Sequence, residues 1–219
     1  MKKYIILAIA LLASCCFANA QQTWFPTKSG TKLVYANMDK KGKISDQFAY
    51  NVTDISKDSG KTTISFEIVS MDGKGMPIGM SVPGRVWSAD GYFHTDVKAS
   101  LLGLVNLESV SIKGHAPILP ENPKNGETLD DCSASIESLL LEYKWSNIKI
   151  STGQTVTTPA GTFDDAMLVE YDTFSKLAIV KVNASMKEWY VKGIGAVRSE
   201  MYNQKGQLNQ SRELISINN

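Results

Sequence analysis

The sequence predicts a mainly β protein: a strongly curved antiparallel sheet or an incomplete β-barrel with one or two short helices. Three observations predict it. Apolar and polar residues alternate with period two through most of the chain, and polar clusters containing glycine break the alternation at short intervals. The composition, 43% hydrophobic and 21% charged, is that of a globular domain. A sheet with this many strands has to curl, close or split to cover its inner face.

The N-terminus predicts a secretory signal peptide over residues 1–20. Two lysines precede an apolar run at residues 4–12, and small residues lead to Ala20, after which cleavage before Gln21 is expected. The apolar run is too short to cross a hydrocarbon layer of roughly 30 Å. Residues 21–219 are therefore expected to form a single β-rich domain with no transmembrane span.

A lipoprotein signal is the alternative interpretation of the same segment. Residues 12–15, Leu-Ala-Ser-Cys, resemble a bacterial lipobox in which Cys15 becomes acylated and forms the new N-terminus. Both interpretations predict export. The first places the protein in the periplasm or outside the cell, and the second makes it an outer-membrane lipoprotein.

Charge and cysteine content argue against two classes of protein. Lys plus Arg number 23 against 22 Asp plus Glu, so the chain lacks the basic excess typical of nucleic-acid binding. Beyond residue 20 the one cysteine is Cys132, which predicts a domain without an internal disulfide. Because no histidine flanks it, we expect Cys132 to be a small buried hydrophobe rather than a reactive thiol.

The strands follow one another as hairpins. Glycine tolerates positive φ, and Asp or Asn side chains bond to their own backbone, so the polar clusters are typical of hairpin turns. The apolar faces of the first three strands are Leu33 and Tyr35; Phe48, Tyr50 and Val52; and Thr62, Ile64, Phe66 and Ile68. Turns are predicted at residues 39–43, 56–60, 72–75, 90–91, 159–161 and 203–206.

Two stretches interrupt the strand pattern. Val97 to Val105 has apolar residues at helical spacing, which predicts a short helix covering a sheet face. Ser135 to Tyr143 fits either a helix or a strand, and the β-rich context favours a strand. Between these stretches, the prolines of residues 117–126 predict an irregular connector.

The sequence contains no recognisable catalytic, cofactor or metal motif. His94 and His115 are the two histidines of the chain, and neither an HExxH nor a GxSxG motif occurs. His94 alternates with its neighbours and is expected to be a half-exposed strand residue. We therefore expect no catalytic residue, no cofactor, no metal site and no enzymatic activity.

Two further motifs have structural interpretations. The G-x-G of Gly193 and Gly195 lacks the third glycine and the helix of a nucleotide loop, so it predicts a bend between two strands. The adjacent carboxylates at 130–131 and 164–165 are expected at solvated turn ends. Aromatic residues that could line a carbohydrate or lipid cleft, but are expected mainly in the core, are Trp24, Phe25, Trp87, Tyr92, Phe93, Trp145, Trp189 and Tyr190.

Four stretches together carry a family resemblance. They are Phe25-Pro26-x-Lys28-x-Gly30 with Leu33-Val34-Tyr35; the connector from Pro120 to Gly126 with Leu129; Val156-x-x-Pro159-Ala160-Gly161-Thr162-Phe163; and residues 189–200 from Trp189-Tyr190 to Glu200. In these stretches the chain resembles the TapB-like group of secreted Gram-negative bacterial proteins, which is similar to the LolA/LolB lipoprotein-carrier superfamily.

The resemblance implies an incomplete barrel with helix or loop material against its concave face, and it implies no activity. Relatives of this kind often have a cysteine just after the Ala-Gly-Thr-Phe motif, where this chain has Asp164 and Asp165. The leading functional hypothesis is a non-enzymatic envelope protein that binds an apolar or lipid ligand or a protein segment. The alternatives are a structural or assembly component of the envelope and a secreted hydrolase acting through carboxylates.

Overall fold

The computed structural model describes residues 23–97 and 111–218, which build an antiparallel sheet. Its strands lie in the order β6-β8-β9-β10-β11-β12-β13-β1-β2-β3-β4-β5-β7. Their bounds are β1 Lys32–Asp39, β2 Ile44–Asp58, β3 Lys61–Asp72, β4 Val82–Ala89, β5 Tyr92–Thr95, β6 Lys113–Gly114, β7 Leu119–Pro120, β8 Cys132–Ile136, β9 Leu141–Thr158, β10 Gly161–Leu177, β11 Val180–Val191, β12 Gly195–Tyr202 and β13 Leu208–Asn218.

The predicted fold class is confirmed. Most neighbours in the sheet are consecutive hairpins, and β1 pairs with β13 so that the first and last long strands meet in the middle of the sheet. The sheet is not closed, because its order begins at β6 and ends at β7 without a pairing between them. Turns lie at the predicted places, including residues 40–43, 59–60, 90–91, 159–160 and 203–207.

Residues 23–26, which we name the strap, show how strongly the sheet curls. The Thr23 carbonyl accepts a 2.7 Å hydrogen bond from the Gly193 amide in the β11–β12 turn. The Trp24 Nε1–H donates to the Pro120 carbonyl of β7 at 2.9 Å. Since β7 and β11 lie at well-separated positions of the strand order, one short segment can contact both only because the sheet bends round it.

The core lies on one face of this curved sheet, which we name the inner face. Leu33, Ile150, Val197 and Leu214 come from four different strands and are completely buried there. Apolar residues alternate with polar ones along much of the sheet, so burial of one face follows from period two there; β10 departs from this with four consecutive buried apolar residues at 166–169. The strap adds Trp24 and Phe25, both buried, to the same core.

The uncertain stretch from Ser135 to Tyr143 is strand at both ends with one turn of helix between them. β8 ends at Ile136, a 3-10 turn spans Glu137–Leu139, and β9 begins at Leu141. Leu140 makes the reversal with a left-handed φ of 49°. Of the predicted helix from Val97 to Val105, residues beyond Val97 lie outside the described part. The signal peptide, Ala20, Gln21 and Cys15 lie outside it as well.

The prediction that Asp164 and Asp165 lie at the end of a turn is wrong. Both residues are exposed, but they lie inside β10 at a bulge, where the register to β9 shifts between Phe163 and Ala166. Asp165 has a φ of 59°, a conformation that Asp adopts more readily than most residues. The predicted connector at 117–126 is irregular apart from the two residues of β7. Among the described residues, no helix has the length and apolar character needed to span a membrane.

Candidate functional site

A half-buried carboxylate surrounded by tyrosines is the main polar feature of the inner face. The Tyr190 hydroxyl donates to Glu188 Oε2 at 2.8 Å, and the Tyr171 hydroxyl also hydrogen-bonds to this carboxylate. Tyr143 is close enough for its own ionisation to be affected by the Glu188 charge. We name these four residues the tyrosine–glutamate cluster. All four are half-buried.

Strand register explains why these residues meet. Glu188 and Tyr190 of β11 point to the same face because they are two residues apart, and Glu188 pairs with Val169 of β10. Tyr171 lies two residues from Val169 and therefore shares that face. On β9 the register places Tyr143 opposite Ser175, so it lies on the inner face too.

The surroundings of the cluster disfavour negative charge. Burial raises the pKa of Glu188 above its ordinary value, although hydrogen bonds from Tyr190 and Tyr171 and the charge of Arg212 oppose the shift. Burial also raises the pKa of Tyr171 and of Tyr190 well above their ordinary value, and the Glu188 charge adds to both shifts. The tyrosines are therefore neutral hydroxyl donors at physiological pH.

Arg212 of β13 supplies a positive charge on the inner face that acts on Glu188. Arg212 pairs with Ser199 of β12, which in turn pairs with Glu188, so the three residues lie in one row across the sheet. The Arg212 guanidinium lies 4.5 Å from the centre of the Phe48 ring, and its Nε–H donates to Asn37 Oδ1 at 3.0 Å. These contacts hold the guanidinium over the aromatic part of the face.

The inner face continues from the cluster to an exposed end. Tyr202, the last residue of β12, pairs with Ser185 of β11. The first five residues of β11, 180–184, therefore extend past the end of β12. Residues 173–184 of the β10–β11 hairpin extend beyond this point, and we name them the flap. The β10 part of the flap, residues 173–177, also pairs with the start of β9. The inner face of the flap has Leu177, Val180 and Val182, which are 45%, 61% and 51% exposed. An apolar strip therefore leads from solvent to the tyrosine–glutamate cluster.

A separate hollow of about 330 Å³ lies beside the strap. Pro26, Leu33, Gly193 and Ile194 are among its lining residues, and Lys28 is the charged one. It lies at the opposite end of β11 from the flap. The hollow lacks the combination of carboxylate, hydroxyl and guanidinium groups that the cluster offers, so the cluster is the stronger candidate site.

The structure places the predicted single residues in structural roles. The ring of His94 stacks on Trp87 with 5.1 Å between ring centres, and burial followed by the charge of Lys61 lowers its pKa. Cys132 is half-buried, and burial together with the charge of Asp131 raises the pKa of its thiol to about 11. Gly193 and Gly195 lie at the β11–β12 turn, as predicted. Within the described ranges, no group of three His, Cys, Asp or Glu side chains is placed to hold a metal ion.

Most of the predicted aromatic residues lie in the core or pack against it, but Tyr92 is 48% exposed. Trp24, Phe25, Phe93 and Trp145 are core residues, as expected, whereas Tyr190 belongs to the tyrosine–glutamate cluster. Sequence analysis missed Glu188, Tyr171 and Arg212. A signal for Glu188 was present: along β11, residues 180, 182, 184 and 186 are apolar and are followed at 188 by a carboxylate on the same face.

Comparison with known proteins gives the family and the fold. Residues 28–214 match the DUF3108-like family, so the chain belongs to that family. No curated protein matches the chain. The resemblance to the TapB-like group and to the lipoprotein-carrier superfamily stays a prediction.

Two solved structures are similar to this chain. One is a Bacteroides fragilis protein described as exported, with a YmcC-like fold; it is 22% identical, with a TM-score of 0.76 over 90% of this chain and 100% of that chain. The other is a Parabacteroides distasonis protein described as a lipoprotein; it is 22% identical, with a TM-score of 0.74 over 90% of this chain and 99% of that chain. At this identity the likeness shows the fold alone.

Proposed function

We propose that this member of the DUF3108-like family is an exported, non-enzymatic binding protein that holds an amphiphile with an uncharged, hydroxyl-bearing head group, such as an acylglycerol. The head group lies at the tyrosine–glutamate cluster, and the acyl chain lies along the inner face of the flap. The observation that carries the proposal is Glu188, a half-buried carboxylate held by tyrosine hydroxyls at the inner end of an apolar strip.

The chemistry of the cluster supports a hydroxyl-bearing head group. Glu188 accepts hydrogen bonds, and the tyrosine hydroxyls both donate and accept, so together they match the groups of a glycerol. An anionic head group is disfavoured because it would lie beside the Glu188 carboxylate, which is already partly desolvated.

The predicted export of the chain fits this role. An envelope protein encounters acylated molecules. The assembly alternative receives less support, because the strands at the two ends of the described sheet, β6 and β7, have two residues each and offer little edge for strand addition.

A binding titration tests the proposal. We expect 1-monooleoylglycerol to bind the full chain, measured by calorimetry, and Glu188→Gln to weaken binding by about tenfold or more because one carboxylate oxygen is replaced by an amide NH2 group, which cannot accept a hydrogen bond. Glu170→Gln is the matched control. Glu170 lies on the neighbouring strand but on the outer face, where its carboxylate is 2.8 Å from the Lys187 ammonium.

Two results would contradict the proposal. One is the absence of binding by a chain that is folded by circular dichroism. The other is an equal loss of affinity in Glu188→Gln and Glu170→Gln, which would place the ligand away from the cluster. If the parent chain hydrolyses the acylglycerol and Glu188→Gln does not, the protein is a hydrolase rather than a binding protein.

A further inference from the structure

The turn at the tip of the flap is made of apolar residues, unlike most of the other hairpin turns described. Ala178 and Ile179 form it, whereas residues 40–43, 59–60, 90–91 and 203–207 form polar, glycine-containing turns. Ala178 has a φ of 52°, a left-handed conformation that usually favours Gly, Asn or Asp. Ile179 is 93% exposed. Neither backbone preference nor burial accounts for this pair.

The tip is part of a larger exposed apolar patch. The Ala178 amide donates to the Leu140 carbonyl at 3.1 Å, which brings the β8–β9 reversal against the tip. Leu140 is 67% exposed, and Leu177 and Val180 flank the turn. Exposed apolar groups that cluster in this way mark surfaces for partners or membranes rather than ordinary solvent contact.

The opposite face of the flap has an unbalanced positive charge. Lys176 and Lys181 lie directly opposite each other in the β10–β11 register, an arrangement of like charges that is unfavourable without a counter-charge. Glu142 lies next to Lys176 on β9; its carboxylate is paired with the Lys144 ammonium at 2.9 Å, and it is also a negative charge that both Lys176 and Lys181 act on. The outer face near the tip, taken over the flap and the start of β9, therefore has three lysines and one glutamate.

We propose that the flap tip docks on a membrane surface rich in anionic lipids. The aliphatic side chains of the tip enter the interface between head groups and acyl chains, and the lysines contact lipid phosphates. Charge complementarity selects this occupant over a second copy of the chain, because a two-fold contact through the tip would bring the same lysines together. This docking does not depend on the acylglycerol ligand proposed above.

Vesicle flotation with the full chain tests the docking. All variants also contain Cys15→Ser, so that an acyl chain attached to Cys15 cannot cause the vesicle binding. We expect the chain to float with phosphatidylcholine vesicles that contain phosphatidylglycerol. Binding to pure phosphatidylcholine vesicles is expected to be weaker by about tenfold or more. Ile179→Ser is expected to lower the partition coefficient about tenfold, since an exposed aliphatic group that enters the interface is lost.

Charge variants complete the design. Lys176→Glu with Lys181→Glu is expected to abolish the preference for anionic vesicles, whereas the matched pair Lys28→Glu with Lys32→Glu, exposed at the strap end, is expected to leave it unchanged. Tyr92→Ser, 48% exposed in β5, is the matched apolar control for Ile179→Ser.

Three results would overturn the docking proposal. They are an absence of flotation with anionic vesicles, equal losses in the flap variants and their controls, and an Ile179→Ser variant that turns a dimer into a monomer in sedimentation without any vesicle binding. Ile179→Ser should still bind 1-monooleoylglycerol in detergent-free solution. A failure of docking therefore stays distinguishable from a failure of the proposed ligand.

Discussion

The two ends of β11 meet the rest of the molecule in opposite ways. At its C-terminal end the strap covers the sheet: Trp24 is 3% exposed and its indole N–H is paired. At its N-terminal end the flap extends past β12, and Ile179 is 93% exposed. The same strand therefore connects a sealed end, where apolar groups contribute to stability, to an exposed end, where they contribute little. The proposed ligand strip and the proposed docking tip both use the apolar residues of this exposed end.

The sealed end is held by several independent contacts. The Ser88 hydroxyl donates to Thr23 Oγ1 at 2.6 Å, which links β4 to the strap. The Lys192 ammonium lies 4.1 Å from the centre of the Trp24 ring and also bonds to the Glu121 carbonyl. Burial lowers the pKa of Lys192. These contacts explain why a four-residue segment can fix the curvature of the sheet.

Removing the indole at the sealed end should have the largest effect. Trp24→Ala is expected to lower the free energy of unfolding by about 3–5 kcal/mol, because it leaves a cavity in the core and removes the hydrogen bond to Pro120. Urea denaturation followed by circular dichroism measures it. Ile179→Ala at the exposed end should change stability by less than about 0.5 kcal/mol. Similar losses for both variants would show that the two ends do not differ as described.

A substitution at the β11–β12 turn should have an intermediate effect. Gly195 has a φ of 111°, and a Cβ there would lie 3.3 Å from the Trp24 carbonyl oxygen. Gly195→Ala is expected to cost about 2 kcal/mol through backbone strain and displacement of the strap. Gly206→Ala is the control, since Gly206 also has a positive φ, 71°, but a Cβ there would meet no atom within 4 Å; it should cost about 1 kcal/mol. A larger loss for Gly206→Ala would contradict a tightly packed sealed end.

The smallest effect is expected midway along β11, at Glu188, and it is a pH dependence. Because the folded-state pKa of Glu188 is raised, the folded chain holds this proton more tightly than the unfolded chain. Its contribution to stability is thus fully present below the ordinary glutamate pKa and is lost as pH rises through the raised value. Urea denaturation across this range should show a smaller decline with pH for Glu188→Gln than for the parent chain. A decline of equal size in both would show that Glu188 is not the titrating group, whereas Glu170→Gln should behave like the parent.

The alternation of apolar and polar side chains every two residues allowed much of the fold to be predicted. Alternation in β1 to β3 and the polar turns at 40–43 and 203–207 are local signals, so the strands they define appear where the sequence places them. The bulge at Asp164 and Asp165 was missed because a bulge depends on pairing with β9, which is not encoded next to the residues concerned. The stretch from Ser135 to Tyr143 contains both strand and 3-10 turn, so neither single interpretation could be complete.

The candidate site was less accessible to sequence analysis than the fold. Glu188 and Tyr190 share a face by alternation, and that part is readable from β11 alone. Tyr171 and Arg212 join them only through the register of β10 and β13, at large sequence separations.

By itself, the sequence determined that this chain makes antiparallel strands with one apolar face, because side-chain direction in a strand is a local property of period two. The tertiary structure alone decided that the strap seals one end, that the flap exposes the other, and that Glu188 lies among tyrosines between them. The strap contacts join residues far apart in the chain, whereas the flap and the tyrosine–glutamate cluster depend on the register of the consecutive strands β9, β10 and β11. That register is fixed only when the inner faces pack against one another.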